Sequence, residues 1–195
     1  MELLFASQNP HKLSEVKAIL SELPIQITGL AELFDYTEVE ENGNSFRENA
    51  FLKSSYFYNK YKKPIFGDDS GLIVPALNGE PGIYSARYGG EHGNHYLNNL
   101  CLLKNMETVK DRGAYFLTVI CYIDSNGQAH FFEGHLNGEI AYEITGENGF
   151  GYDPVFLLPK YGKTLAELGT ERKNQLSHRF MALKQLVKYL KKEVE

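Results

Sequence analysis

Long apolar runs are missing from this 195-residue chain, and so is an excess of positive charge. No stretch approaches the roughly 18 consecutive apolar residues of a membrane helix, and the first dozen residues lack the basic and apolar regions of a signal peptide. A cytoplasmic protein with no membrane partner is therefore expected. Cysteine is scarce: Cys101 and Cys121 are the only two, they lie far apart, and neither sits in a metal-type pair, so both read as reduced thiols. The formal net charge of −5 argues against a nucleic-acid partner, because binding a long polynucleotide depends on neutralising several phosphates. A single nucleotide stays open, since a small polyanion needs only a few placed cations, backbone N–H groups and a metal ion.

Repeats and low-complexity linkers are absent too, and a hydrophobic content of 43% with 23% charged residues is ordinary for a globular chain. Residues 1–195 read as a single domain with room for a sizeable core.

The chain opens with an apolar run, Leu3 to Ala6, followed by Ser7-Gln8-Asn9-Pro10 and then Leu13, Val16, Leu20 and Leu23 at helical spacing. This predicts strand, turn, helix, with Asn9 as N-cap and Pro10 as the first helical residue. Ser45 and Glu48 are spaced as a capping box for a second helix reaching about Tyr61, where Pro64 stops it. Ile65-Phe66 and Leu72-Ile73-Val74 flank an acidic stretch as two apolar pieces, and the glycine-rich residues 79–94 read as a long structured loop. A helix near 94–107 has Leu97, Leu100, Cys101 and Lys104 on one stripe. Ala114 to Ile123 is strand-like, and Asp124-Ser125-Asn126-Gly127 turns it into an antiparallel partner around 128–133. Gly134 to Phe156 reads as turn-rich. Thr164 and Glu167 form another capping pair, and a last helix runs from about Ser177 to Lys192 on a stripe of Leu183, Leu186 and Leu190. The sum is a mixed α/β chain.

Four clusters carry chemistry. Ser7, Gln8, Asn9, Pro10, His11 and Lys12 end a strand and open a helix, where N–H groups and the dipole favour an anion while Lys12 is a cation the dipole disfavours; phosphate reconciles them. Lys53 shares a helical stripe with Phe46, Ala50 and Phe57, so it either snorkels to the rim or reaches into a polar cavity. Asp68 and Asp69, with Glu38, Glu40 and Glu41, supply the oxygen ligands hard divalent cations take. Adjacent strand residues point to opposite sides, so only one of the two aspartates is expected to face a reacting centre, beside a cation, while the other stands away from one and braces the turn. Finally Phe150-Gly151-Tyr152-Asp153, Lys173 and Ser177-His178-Arg179 combine an aromatic face for stacking on a base with polar groups for its edge. The bland alternatives are a well-capped surface helix, solvated turn carboxylates and a charged helix end. His92 with His95 lacks the further ligands of a zinc site, and His130 with His135, five apart on an expected strand, point to opposite sides.

In order and wording these clusters resemble one family. Ser7-x-Asn9-x-x-Lys12, Gly43-x-Ser45-Phe46-x-Glu48-Asn49-Ala50, Asp68-Asp69-Ser70-Gly71-Leu72, Pro81-Gly82-Ile83-Tyr84-Ser85-Ala86-Arg87-Tyr88, Gly149-Phe150-Gly151-Tyr152-Asp153-Pro154 and Ser177-His178-Arg179 look like the inosine triphosphate pyrophosphatase family over essentially the whole chain. Ser7-Gln8 stands where that family often has Thr-Gly or Thr-Asn.

The resemblance implies a two-lobed α/β fold, a long mixed β-sheet flanked by helices of the ITPase-like (Maf/Ham-type) kind, with the active-site cleft between lobes and usually a homodimer. It implies hydrolysis of ITP, dITP and XTP to the monophosphate and diphosphate with Mg²⁺, by water attack at the α-phosphorus. By position, Ser7 to Lys12 and Lys53 would bind the triphosphate, and Glu41 and Asp69 the metal, with Asp69 the proton acceptor. Ser70, Phe150, Gly151, Tyr152, Asp153, Lys173, His178 and Arg179 would contact substrate. Donors from His178 and Arg179 would favour bases with an oxygen at position 6 over adenine, which carries an amine there. Guanine shares that oxygen, so its exclusion rests on its 2-amino group. A phosphatase with an aspartyl nucleophile would instead release orthophosphate, and a regulatory module would bind nucleotide without turnover.

Overall fold

The computed structural model describes residues 2–21 and 24–194, without the side chains of 193 and 194; Leu23, expected on the first helical stripe, lies outside the described residues. Along the chain run β1 (Glu2–Phe5), α1 (Pro10–Leu20), β2 (Gln26–Gly29), α2 (Phe46–Tyr61), β3 (Ile65–Ile73), α3 (His95–Asn105) and β4 (Gly113–Ile123). Then follow β5 (Ala129–Ile140), β6 (Phe156–Leu158), β7 (Lys163–Thr164), α4 (Leu165–Leu168), α5 (Thr170–Leu176) and α6 (His178–Val194). The strands form a mixed sheet in the order β2-β1-β3-β4-β5-β6-β7, flanked by helices. By compactness the chain divides into two units: Met1–Asp69, Thr118–Gly134 and His178–Glu195 in the first, Ser70–Leu117 and His135–Ser177 in the second. Among the described residues no helix is long and apolar enough to cross a membrane.

In the first unit β1 pairs in parallel with β2, Leu3 opposite Ile27, and with β3, Leu4 opposite Ile65. Side chains alternate, so each strand feeds two cores. Leu3, Phe5, Phe66, Ile120 and Tyr122 pack with Val16 and Leu20 of α1 and Leu183, Leu186 and Leu190 of α6. Leu4, Ile65, Cys121 and Ile123 pack on the other side with Ala50 and Phe57 of α2. The leucine stripe read for the last helix is thus the core face of α6, and each fully buried leucine there contributes about 1.5–3 kcal/mol relative to exposure. The Asp124 to Gln128 turn closes with Gly127 N–H donating to the Asp124 carbonyl at 3.1 Å. So short a connection makes β4 and β5 antiparallel, as expected.

The second unit holds its own core, with Leu72, Val74, Leu102, Met106, Phe116, Ile140, Val155 and Phe156. Here β5 to β6 and β6 to β7 are antiparallel, with Ile140 opposite Phe156 and Leu157 opposite Thr164. The Thr164–Glu167 pair caps α4 as predicted, Thr164 N–H donating to Glu167 Oε2 at 2.8 Å.

Several expectations are corrected. The two apolar pieces around the acidic stretch are one continuous strand, β3. Residues 134–140 continue β5 rather than forming turns. The glycines that suggested turns are there for close approach: a Cβ on Gly134 would lie 2.0 Å from the His178 carbonyl oxygen, and one on Gly138 2.6 Å from that of Leu157. Residues Thr170–Leu176, where the sequence shows no helix signal of its own, form α5. In α3 the stripe of Leu97 and Leu100 is the outer one, at 38% and 40% exposure, and the buried residues are Asn98, Asn99 and Leu102.

Candidate active site

The first unit gathers Lys12, Glu41, Lys53, Asp68, Asp69 and Arg179 of the sequence reading at the middle of β3. Asp68 belongs to the side of the strand that faces α1 and α6, where its Oδ2 accepts from Lys12 Nζ at 3.1 Å and from Arg179 Nη2 at 3.1 Å and Nε at 3.3 Å. Arg179 Nη1 also donates to Glu15 Oε2 of α1. Asp69, one residue on, turns to the α2 side, where its Oδ2 accepts from Asn49 Nδ2 at 3.1 Å. Lys53 of α2 reaches the same place: its ammonium pairs with Glu41 Oε1 and donates to the Asp68 carbonyl at 3.0 Å. The strand thus puts adjacent carboxylates on opposite sides, as alternation requires.

The expectation that Asp68 stands away from cations is overturned. Asp68 and Glu15 are 1% and 7% exposed, and two carboxylates buried on one side of a sheet repel unless a cation lies between them. Arg179, itself 2% exposed, is that cation. Its Nε, Nη1 and Nη2 are directed at carboxylates rather than at a keto oxygen. His178 is the first residue of α6 and is buried at 6% exposure.

Burial pushes the Asp69 carboxyl above the usual range against the pull of Lys53 and Lys12, with the charge of Glu41 adding to the rise. Lys12 is held below the usual lysine range by burial and by Lys53 and Arg179, although Asp68 opposes this. For Lys53 burial acts in the same direction, but Glu41, Asp68 and Asp69 outweigh it and hold the group above its usual range. Arg179 is likewise held up by Asp68 and Glu15 against burial. The lysines are therefore not equivalent. Lys53 is a fixed positive charge among three carboxylates, whereas Lys12 shares its surroundings with two other cations.

The loop before α1 is ordered by its own side chains. Asn9 Oδ1 accepts from His11 N at 2.9 Å and Lys12 N at 3.2 Å, and Ser7 Oγ accepts from Asn9 N at 3.2 Å. The cap predicted for Asn9 is present, and it occupies N–H groups that the sequence reading offered to a phosphate. Pro10 is the first helical residue. Gln8 Nε2 donates to the Thr37 carbonyl at 2.7 Å.

Among the described residues no three His, Cys, Asp or Glu side chains cluster as a metal site. Mg²⁺, however, commonly takes one or two carboxylates, with waters and phosphates as the remaining ligands. Glu41 and Asp69 are hard oxygen donors whose charges interact, and the raised Asp69 carboxyl marks a place where a cation would relieve the cost of burial. The donor set fits a hard divalent ion.

In the second unit, residues 149–153 form a turn held from within. Phe150 N–H donates to Asp153 Oδ2 at 2.8 Å, and the same oxygen pairs with Lys173 Nζ at 2.7 Å. Gly149 has φ +83°, and a Cβ there would lie 2.1 Å from Asp153 Oδ2, so only glycine fits. The Lys173 ammonium lies 4.4 Å from the centroid of the Phe150 ring, a cation–π contact. Asp153, expected at a ligand edge, is 2% exposed and instead fastens the turn to Lys173. Tyr152 is buried, with its hydroxyl donating to the Ser85 carbonyl at 2.8 Å. Ser70 is half-buried on β3.

Sequence reasoning missed Glu15 and Asn49. Glu15 follows Lys12 by three residues, so the two share a helix face, and that spacing was the available signal. Asn49 stood within the second quoted motif without a role. It is 2% exposed, its Oδ1 accepts from Gly43 N at 2.8 Å, and it thereby ties the segment after Glu41 to Asp69.

Residues 3–189 match the family model described as Ham1 family. A dITP/XTP pyrophosphatase of Caldanaerobacter subterraneus subsp. tengcongensis is 43% identical over 198 residues, covering 100% of this chain and 98% of its own. One from Porphyromonas gingivalis is 45% identical over 190 residues, 97% of each chain. The structure of the Staphylococcus aureus Ham1 protein matches with a TM-score of 0.89 at 44% identity, covering 99% of this chain and 100% of that one.

Proposed function

The chain belongs to the Ham1 family, and from that membership we infer that it is a nucleoside triphosphate pyrophosphatase acting on non-standard purine nucleotides. Relatives that match it over its full length are named dITP/XTP pyrophosphatase. The substrates are dITP, ITP and XTP, and the products are the monophosphate and diphosphate. Removing such nucleotides cleanses the pool from which nucleic acids are made.

The observation that carries the assignment of residues is the convergence of Lys12, Lys53, Asp69 and Glu41 on the middle of β3. Lys12 and Lys53 offset charge along the triphosphate, with Ser7, Gln8, Asn9, Pro10 and His11 shaping the loop beside it. Asp69 orients the attacking water and takes its proton. Glu41 and Asp69 would hold Mg²⁺, which would supply charge neutralisation at the phosphates. Ser70 adds a hydroxyl to the contacts with substrate. Phe150 offers its ring to the purine, on a turn that Gly151, Tyr152, Asp153 and Lys173 keep in place, and His178 donates to the 6-keto oxygen. Arg179 serves by holding Asp68 and Glu15, which its burial between them supports. The protein works in the cytoplasm as a homodimer, and the apolar side chains that α3 leaves open, Tyr96 at 63% among them, support the second of these readings.

The test is a Mg²⁺-dependent screen of common and deaminated nucleoside triphosphates with diphosphate and orthophosphate detected separately. Diphosphate with IMP from ITP, and little from ATP, is expected. Orthophosphate as the first product would point to a phosphatase and sink the assignment.

A further inference from the structure

The inward face of α3 carries two asparagines beside Leu102, at positions where a core helix would carry further apolar residues. Asn98 Oδ1 accepts from Gly89 N at 2.6 Å and its Nδ2 donates to the Ala86 carbonyl at 3.2 Å. Asn99 Nδ2 donates to the Gly151 carbonyl at 3.0 Å, 52 residues away. The reverse amide orientation would set two carbonyl oxygens against each other, so only this one is tenable. Asn99 is 3% exposed, and its Oδ1 is buried with no hydrogen-bond partner among the described residues. A buried acceptor left unmade is costly, and an apolar side chain would avoid that cost. What the apolar side chain would not supply is the donor to Gly151.

That donor acts on a sensitive peptide. Gly151 sits at φ +66° directly after Phe150, in a conformation open to few other residues. His95, one turn before Asn99 on the same helix face, places its ring 6.2 Å from the Phe150 ring. Tyr152 ties the next residue to Ser85, in the loop that Asn98 holds at Ala86 and Gly89. One helix face therefore fastens both loops of this unit.

We propose that Asn99 is a positioning residue that fixes the Gly151 carbonyl, and with it the Phe150 ring, so that the protein separates keto purines from adenine. This rests on the assignment of Phe150 to the base. A residue acting this way alters recognition of the base more than the reaction at phosphorus.

The experiment compares the full-length wild type with Asn99→Leu, which keeps the branched outline and removes the donor, and with Asn99→Ala should the leucine variant not fold. KM for ITP is expected to rise about tenfold with kcat within about twofold, and the ITP-to-ATP ratio of kcat/KM to fall by a similar factor. Amide exchange of residues 149–153 should quicken without a change elsewhere in the chain. A folded variant with unchanged KM, ratio and exchange would overturn the inference, as would an equal loss of kcat on every nucleotide at constant KM. A wild type that makes no diphosphate from ITP overturns the functional reading beneath it; an active wild type with unaltered Asn99→Leu overturns this inference alone.

Discussion

Asp68 Oδ2 accepts from Arg179 Nη2 at 3.1 Å, joining β3 to the first turn of α6 across 111 residues of sequence, with each side chain only 2% exposed. The guanidinium also answers Glu15, so one buried cation keeps two carboxylates compatible. Arg179→Ala leaves both without it, and breaking a buried pair in this way costs about 3–5 kcal/mol. A melting temperature lower by roughly 6–20 °C is expected from the usual size scaling. Hydrolysis should fall on all nucleotides together, and Arg179→Lys should recover it only in part, because an ammonium lacks the planar fork that serves two carboxylates at once. A shift in ITP-over-ATP preference with an unchanged melting temperature would return Arg179 to base recognition and refute this role.

Asn49 makes a separate prediction. It accepts from Gly43 N–H and donates to Asp69, so it fixes both the carboxylate and the segment that follows Glu41. Groups that orient metal-binding carboxylates change affinity or activity by about 10–100-fold when removed. Asn49→Ala should lower kcat by that order and raise the Mg²⁺ concentration needed for half-maximal rate. Kinetics at saturating ITP across a Mg²⁺ titration decide it; an unaltered metal requirement would leave Asn49 as no more than a packing residue.

The physical reasons for these assignments were unevenly legible in the sequence. Helix starts were readable, because Asn9 and Ser45 cap within three residues of themselves. The opposite sides of Asp68 and Asp69 were readable too, since alternation is local. The partners of Asp68 were not: Arg179 arrives from 111 residues away, and no local pattern encodes that distance. Likewise α3 defeated the hydrophobic pattern because its inner face adds hydrogen bonds to loops beside the apolar contact of Leu102, and Asn98 and Asn99 announce that only when Gly89 and Gly151 are seen beside them. Membership in a family added the chemistry, but not which cation answers which carboxylate.

The two thiols should differ sharply in reactivity. Burial pushes Cys121 up to about 12, with the Ser54 hydroxyl and Arg47 pulling the other way, whereas Cys101 is half-buried. The thiolate is the reactive form, so at pH 8 Cys121 presents almost none. Titration of the native protein with a thiol reagent should modify Cys101 alone, and Cys121 should follow only in denaturant. Two fast equivalents in the native state would contradict the burial of Cys121.

Asp35 gives the protein a predictable acid limit. Its Oδ2 accepts from Lys60 Nζ at 2.8 Å and Tyr61 Oη at 2.6 Å, and its Oδ1 from Thr37 Oγ1 at 2.7 Å and Thr37 N at 3.1 Å. The Lys60 and Tyr61 bonds, then those of Thr37, hold the carboxyl well below the usual range against burial. A depressed value means that the unfolded chain takes up the proton first, near the ordinary aspartate value of about 3.9. The stabilisation is therefore complete above about pH 5 and is lost as pH falls toward the folded value. Its partner Tyr61 is pushed up to about 12 by burial and by Asp35, so its contribution is present below the ordinary tyrosine value of about 10 and fades as pH rises past it. Asp35→Asn should cost about 1–3 kcal/mol at pH 7, the usual price of a buried bonded group losing its charge-assisted partners. Denaturation curves from pH 7 to pH 2 should show the gap between variant and wild type closing below about pH 4, because protonation then does to Asp35 what the substitution does. A gap that stays constant over that range would mean that the Asp35 charge contributes nothing, and that the loop reaching Thr37, and through it Gln8, is held by packing alone.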